Sequence, residues 1–187
     1  MESRPVHQGR VVHLALDTVR FPDGSTGELE LIRHSGAAAV VPVLGDPDDP
    51  DPRIVLLRQF RYAAGGDIYE IPAGRPDREG EPWEEVAARE LEEETGYVAG
   101  ALRRLTTIYT TPGFTDERIH LFVATGLRRG ETDLDDDEFV EVTELPLSGA
   151  LQAIEDGRII DAKSICALLF YDRFHRGDAS PAMGPAP

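Results

Sequence analysis

Three glutamates lie at a spacing that places them on one side of a helix. Glu90, Glu93 and Glu94 are three and four residues apart, and residues with these separations are neighbours on a helical surface. On an exposed helix each such like-charged pair costs only about 0.2–0.5 kcal/mol, so a solvated acidic face explains the spacing. In a cleft, carboxylates ~5 Å apart repel by roughly 3 kcal/mol at an effective dielectric of ~20 and require a divalent cation. The spacing alone favours the solvated face.

The segment around these glutamates contains further residues at fixed separations. Arg89 lies four residues before Glu93, so the two side chains can pair along the helix. Glu81 lies eight residues before Arg89, and Gly96 suits the position just after a helix. The stretch from Gly74 reads GRPDREGEPWEEVAARELEEETGY.

This stretch resembles the Nudix box, a glycine, then a glutamate, then Arg-Glu-apolar-any-Glu-Glu-any-Gly-apolar. Six residues separate Gly74 from Glu81 where the family usually has five, and the extra residue falls in a loop, where insertions are tolerated. Tyr97 stands where an aliphatic residue is commoner. The match at the other fixed positions favours a metal site over a solvated face.

The resemblance implies that one group of residues holds Mg2+, with Mn2+ as an alternative, and that another shapes the box. The metal group comprises Glu90 and Glu94 as the main ligands, Glu93 as a further or supporting carboxylate, and the backbone carbonyl of Ala73. The structural group comprises Gly74, Glu81, Arg89 and Gly96, with Glu81 and Arg89 paired. Metal ions would neutralise a bound pyrophosphate and activate water.

Features outside the box resemble the ADP-ribose pyrophosphatase group of this family. A proline near the spacing of Pro112, 16 residues after Gly96, marks the group. The resemblance implies that Arg61 meets the diphosphate or terminal ribose and that Glu70 lies near the metals. The residues expected at the substrate are Arg61, Glu70, Pro112, Gly113, Phe114 and Glu117. An ordinary loop proline and surface charges remain alternative explanations.

An acidic segment over residues 131–138 lies where this group places its catalytic base. The resemblance implies that Glu138 deprotonates the attacking water, with Asp136, Asp137 and Glu141 as alternatives. The alternative is a merely acidic, mobile loop.

The remaining pattern predicts the elements that position these residues. Periodicity and turn residues predict strands at 10–20, 27–34, 37–44, 53–60, 68–71, 102–111, 118–125 and 139–145. Helices are expected at 82–95, after Ser148 as N-cap, and near 161–174. The fold class is therefore α/β, and the resemblance implies the Nudix fold, an α/β/α sandwich around a mixed sheet.

The chain divides into three predicted parts. We expect an N-terminal β segment over residues 1–36, a Nudix catalytic domain over 37–175 and a disordered tail over 176–187. An isolated hairpin is marginal in water, and the resemblance implies that the first segment is exchanged across a homodimer.

The charge and hydrophobicity of the sequence limit the kinds of partner that the protein can bind. The net charge of −16, from 19 basic and 35 acidic residues, is opposite to that of a nucleic-acid-binding surface. The sequence contains neither an apolar run of ~20 residues nor an apolar signal core, so we expect no membrane partner and a cytoplasmic location. The single cysteine, Cys166, lies in the apolar stretch SICALLF and is expected to be buried.

The expected function is Mg2+-dependent hydrolysis of the pyrophosphate of ADP-ribose to AMP and ribose 5-phosphate. The partner would be this small nucleoside diphosphate sugar. One alternative is a Nudix pyrophosphatase for another nucleotide sugar, a dinucleoside polyphosphate or FAD. Another is a non-catalytic module that binds ADP-ribose; such modules usually lose box carboxylates, which are all present here.

Overall fold

The computed structural model describes residues 2–133 and 140–175. Its strands are β1 (Ser3–Gln8), β2 (His13–Arg20), β3 (Thr26–Arg33), β4 (Ala37–Leu44), β5 (Arg53–Arg61), β6 (Gly66–Glu70), β7 (Ala73–Gly74), β8 (Tyr97–Val98), β9 (Ala101–Tyr109), β10 (Arg118–Thr125), β11 (Arg128–Arg129) and β12 (Val140–Pro146). Its α-helices are α1 (Trp83–Thr95), α2 (Leu147–Glu155) and α3 (Ala162–Phe174), and a short 3-10 helix covers Tyr62–Ala64. No helix among the described residues is both long and apolar enough to cross a membrane.

A mixed sheet forms the centre of the molecule. Its main path is β12-β5-β4-β10-β9, with β6 beside β5 and β7 beside β4. Strands β4 and β10 are parallel, and the other pairs are antiparallel. Successive side chains of a strand point to opposite faces. Thus Ala39 and Val41 of β4 pack with residues of α2 and α3, whereas Ala38 and Val40 pack with residues of α1. The predicted α/β/α sandwich is confirmed.

The N-terminal segment forms a separate three-stranded sheet in the order β1-β2-β3. The sequence pattern predicted β2 and β3 but not β1, because the exposed stretch SRPVHQ has no apolar alternation. Within residues 2–33, Ala15 is the one buried residue. Both faces of this sheet are therefore largely open to solvent.

Two local expectations about helix caps were wrong. Pro82 is the N-cap of α1, with extended backbone, and lies just outside the first turn where it was expected. Pro146, not Ser148, is the N-cap of α2. The Ser148 N–H instead donates to Asp51 Oδ1 at 2.8 Å, so a carboxylate distant in sequence satisfies an amide of the first turn.

The expectation that Cys166 is buried was also wrong. Its neighbours Ala167 and Leu168 are fully buried, whereas Cys166 is exposed. A helix packed on one side turns part of an apolar stretch to solvent, and the stretch SICALLF does not itself say which part.

Candidate active site

The acidic residues of α1 occupy both ends of the helix. Glu84 and Glu85 lie in the first turn, where the helix dipole favours negative charge. Glu93 and Glu94 lie in the last turns, where the dipole disfavours it, and the last turn of this fully described helix holds no basic residue. Helix stability does not explain carboxylates at this end. Gly96 ends the helix with φ of 67°, a left-handed conformation that glycine adopts without strain.

A cleft of about 490 Å³ opens beside the second half of α1. Its walls come from α1, from β7 with the loop that follows it, and from the start of the acidic segment. The lining residues are Ala73, Gly74, Arg75, Pro76, Asp77, Arg89, Glu90, Glu93 and Asp133. Four carboxylates therefore surround this space, against two guanidinium groups.

Arg89 is the cation around which these carboxylates gather. Its contacts are Glu90 Oε1 at 2.9 Å, Glu93 Oε2 at 2.8 Å, Asp77 Oδ2 at 3.1 Å, Glu81 Oε1 at 3.8 Å and the Arg75 carbonyl at 2.8 Å. Burial lowers the pKa of Arg89, but the charges of Glu90 and Glu93 outweigh burial and hold that pKa above its ordinary value. The predicted pairing of Arg89 with Glu93 along the helix is observed. Arg89 also ties the loop after β7 to α1.

Two close approaches join β7 to α1. A side chain at Gly74 would meet the Glu90 carboxylate, because a Cβ built there lies 2.0 Å from Glu90 Oε1. Any other residue at position 74 would therefore displace a carboxylate of the cleft. One residue earlier, the Ala73 N–H donates to Glu94 Oε2 at 3.0 Å, and Glu94 is only 3% exposed.

The donor set suits a hard divalent cation. Carboxylate and carbonyl oxygens are the ligands that Mg2+ prefers, and the cleft offers them in excess over its cations. Within residues 2–133 and 140–175, no three acidic, histidine or cysteine side chains are already gathered closely enough to hold one ion. Glu90 and Glu93 contact Arg89 instead. The residues fit the ion in chemical type and charge, and their side chains must turn to bind it.

Comparison with known proteins identifies the family. The model of the NUDIX domain matches residues 34–168 of this chain. The chain belongs to the Nudix family. The family and the fold expected from the box are both confirmed, and Nudix hydrolases generally use divalent metal ions.

Curated relatives of this Nudix protein match over most of their length. The methanol dehydrogenase activator of Bacillus methanolicus is 42% identical over 91% of this chain and 90% of that protein. The ADP-ribose pyrophosphatase of Bacillus subtilis (strain 168) is 40% identical over 88% and 87%. A crystal structure of an ADP compounds hydrolase superposes with a TM-score of 0.78 over 92% of this chain and 90% of that one, at 22% identity. This superposition supports the fold.

Two residues expected at the substrate of the Nudix site contact each other. Arg61 at the end of β5 donates to both oxygens of Glu70, at 2.6 and 3.0 Å. Lys163 of α3 also contacts Glu70, whose side chain is only 3% exposed. Burial raises the pKa of Glu70, but the hydrogen bonds and charges of Arg61 and Lys163 outweigh burial and lower that pKa below its ordinary value. Arg61 remains 44% exposed, whereas Glu70 is enclosed.

The loop with Pro112, Gly113 and Phe114 lies against the N-terminal sheet. The N–H of Ile32 in β3 donates to the Phe114 carbonyl at 2.8 Å, and Phe114 is 52% exposed. Glu117 accepts a hydrogen bond from Thr110 at 2.8 Å across the base of the loop. None of these four predicted substrate residues is among the described residues that line the cleft.

The predicted base, Glu138, lies outside the described residues, as do its alternatives Asp136 and Asp137. The fourth candidate, Glu141 on β12, is 68% exposed in its side chain and contacts Arg58 at 3.2 Å. Arg58 therefore holds Glu141 on the surface of the sheet and away from the cleft lining. The predicted tail over residues 176–187 also lies outside the described residues.

Sequence reasoning missed four residues of the cleft: Arg75, Pro76, Asp77 and Asp133. Asp133 is the third residue of the acidic segment, and its N–H donates to the Glu93 carbonyl at 3.0 Å, which joins this residue to α1. Arg75 and Asp77 lie in the loop between Gly74 and Glu81. Their only sequence signal was their position inside the box.

Proposed function

We propose that this protein hydrolyses the pyrophosphate of ADP-ribose to AMP and ribose 5-phosphate. The observation that carries the proposal is the cleft beside α1, where Asp77, Glu90, Glu93 and Asp133 face two arginines. The relative from Bacillus subtilis, named an ADP-ribose pyrophosphatase, matches 88% of the chain and supports the choice of substrate.

We propose Mg2+ as the cofactor, with Mn2+ as the alternative. Glu90, Glu94, Glu93 and the Ala73 carbonyl would hold it, since all lie where α1 meets β7. When bound, the ion supplies positive charge to the pyrophosphate and acidifies water. Arg89 holds Glu90 and Glu93 at the cleft until the ion competes for them.

The other steps belong to side chains of this chain. Arg75 lines the cleft and offers a guanidinium suited to a phosphate oxygen. Arg61 is proposed to meet the diphosphate or ribose with the part of its guanidinium that Glu70 leaves exposed. Glu138 is proposed to take the proton of the attacking water. The engagement of Glu141 by Arg58 favours Glu138 over Glu141.

We propose that the protein acts as a cytoplasmic homodimer in which the N-terminal sheet exchanges between subunits. The exposure of both faces of β1–β3 supports this, because a three-stranded sheet gains stability by covering an apolar face. Light scattering of the full chain is expected to give twice the mass of 20.5 kDa, and a monomeric mass would contradict the proposal.

A second candidate function comes from the relative in Bacillus methanolicus. That protein is named a methanol dehydrogenase activator and is 42% identical over 91% of this chain. If this chain shares that role, adding it to a methanol dehydrogenase will raise the rate of alcohol oxidation. An unchanged rate would exclude this candidate and leave the hydrolase proposal intact.

A substrate panel tests the main proposal. We expect Mg2+-dependent turnover with the highest kcat/KM for ADP-ribose, against other nucleotide sugars, a dinucleoside polyphosphate and FAD. A preference for another compound would retain the hydrolase and replace its substrate. Binding of ADP-ribose without turnover of any compound would establish a non-catalytic module.

A further inference from the structure

The first turn of α3 contacts the backbone that leads into the cleft. Asp161, the N-cap of α3, accepts hydrogen bonds from the N–H and the Oγ of Ser164, at 2.9 and 2.6 Å. A hydroxyl that donates one hydrogen bond can still accept another, and Ser164 Oγ accepts from the Ile71 N–H at 2.8 Å. Ser164 is 0% exposed and Ile71 is 1% exposed. Solvent therefore cannot substitute for this serine as the acceptor.

The two residues after Ile71 are held by other elements. The Pro72 carbonyl accepts from the Val40 N–H of β4 at 3.0 Å. The Ala73 N–H donates to Glu94 of α1 at 3.0 Å. Three consecutive residues, 71–73, are thus held by α3, by the central sheet and by α1, in that order. The hydrogen bond from Ile71 to Ser164 is the contact that α3 makes with this stretch.

The same turn of α3 also neutralises the residue before Ile71. Lys163 contacts Glu70, and its Nζ lies 3.0 Å from Asp161 Oδ2. Glu70 is in turn the partner of Arg61, so Lys163 shares the carboxylate that orients Arg61. Two carboxylates and two cations balance within this group.

We propose that Ser164 and Lys163 are positioning residues of the cleft. Ser164 acts through the Ile71 N–H on the backbone that carries Ala73, and Lys163 acts through Glu70 on Arg61. Neither side chain lines the cleft. Small displacements of groups around reacting atoms reduce the rate strongly. A hydrogen bond outside the cleft, such as that between Ser164 and Ile71, therefore affects turnover if it sets the position of Ala73. The inference rests on the proposed function, because it takes the cleft beside α1 as the place of reaction.

Ser164→Ala, Ser164→Thr and Leu168→Ala separate positioning from general stability. Leu168 is a fully buried residue of the same helix and packs in the core of the α2 and α3 side. In metal-free protein we expect Ser164→Ala to speed amide hydrogen exchange of Ile71 and Ala73, the two residues on either side of Pro72. We expect kcat to fall by about tenfold or more with a smaller change in KM. Ser164→Thr should restore both the slow amide exchange and kcat, because threonine keeps the hydroxyl.

Leu168→Ala is expected to lower Tm while changing the exchange of Ile71 and Ala73, and kcat below its Tm, less than Ser164→Ala does, because Leu168 shares the core with Ile71 but makes no hydrogen bond to its amide. Lys163→Met and Lys163→Arg test the second part of the proposal, in which Lys163 acts through Glu70 on Arg61. Methionine should reduce turnover, and arginine, which keeps the charge, should restore most of it. These two variants keep the test open if position 164 tolerates no substitution.

Two results would overturn the proposal. One is unchanged exchange and unchanged kcat in Ser164→Ala. The other is an equal loss of kcat in Ser164→Ala and Leu168→Ala at matched loss of Tm, since this would reduce the effect to stability. If the wild-type protein turns over no compound, the proposed function fails. The exchange of the Ile71 and Ala73 amides in metal-free protein still decides the structural link in that case.

Discussion

The molecule contains two clusters of charged side chains that differ in their balance. The cleft cluster has four acidic and two basic members: Asp77, Glu90, Glu93 and Asp133 with Arg75 and Arg89. The α3 cluster has two of each: Glu70 and Asp161 with Arg61 and Lys163. Both include carboxylates that the surrounding fold partly or fully encloses, but only the α3 cluster is neutral.

This difference in net charge indicates different roles for the two clusters. Buried charges are tolerated when they are paired and hydrogen-bonded, and the α3 cluster meets this condition with residues of its own chain. The described residues that line the cleft hold more carboxylates than cations, and this excess supports the proposed binding of Mg2+. An acidic run becomes informative once the fold shows which of its members have cations of their own.

The largest effect is expected for Glu94→Gln, which removes negative charge next to the cleft cluster. Mg2+-dependent turnover should fall at least about 100-fold, because even residues that support metal ligands are worth 10- to 100-fold. Steady-state rates across a Mg2+ titration measure this, and circular dichroism checks that the protein is folded. Near-normal activity would contradict the assignment of Glu94 as a ligand.

Glu138→Gln and Glu141→Gln test whether the acidic excess extends into the segment after Asp133. Glu138→Gln should lower kcat by about 100-fold, more than it raises KM, because a base acts in the transition state. Glu141→Gln is the matched control, since Arg58 holds Glu141 outside the cleft lining, and its kcat should stay near wild type. The reverse outcome would make Glu141 the base.

A second pair of variants compares the stability that each of the two clusters contributes. Glu70→Gln leaves Arg61 and Lys163 without the carboxylate they share and should lower the free energy of unfolding by about 2–3 kcal/mol. Glu93→Gln removes one negative charge from the acidic excess of the cleft cluster. It should lower the free energy of unfolding by less than about 1 kcal/mol, or raise it. Urea unfolding of metal-free protein at pH 7 measures both. Equal losses would show that the two clusters do not differ in this way.

The pH dependence of the Glu70 effect has a definite sign. The pKa of Glu70 is lowered in the folded protein, so the unfolded chain binds a proton first as pH falls. Its stabilisation is complete above the ordinary pKa of 4.5 and is lost as pH falls through the lowered value. The difference between wild type and Glu70→Gln should therefore shrink in acid.

The effect that is smallest at pH 7 is expected outside both clusters, at His120. Burial, with Arg104 and Arg118, lowers the pKa of His120 to about 4, and its ring stacks on Trp83 at 4.2 Å. The unfolded chain, with a pKa of 6.5, binds the proton first, so stability falls as pH drops from 6.5 towards 4. His120→Phe should flatten this slope, which for one proton is at most about 1.4 kcal/mol per pH unit before solvent screening. A parallel slope in the variant would assign the dependence to other groups.

Much of the fold followed from local pattern. The strand over 37–44 was predicted with the bounds that the structure gives, because its eight residues form one apolar run, of which the first seven are buried. The helix beginning near Pro82 and ending before Gly96 was predicted to within one residue, because proline and glycine mark its two ends. Strand β1 was missed because its six residues are all exposed and carry no such pattern.

The sequence by itself determined which carboxylates share a face of α1, because i, i+3 and i+4 separations fix neighbours on any helix. Only the tertiary structure decided which charges compensate one another. Glu70 and Lys163 are 93 residues apart, and their contact depends on how α3 packs on the central sheet. The same packing turned Cys166 outwards and brought Ser164 to the Ile71 amide. Contacts between distant residues depend on the three-dimensional path of the chain, and local spacing does not encode that path.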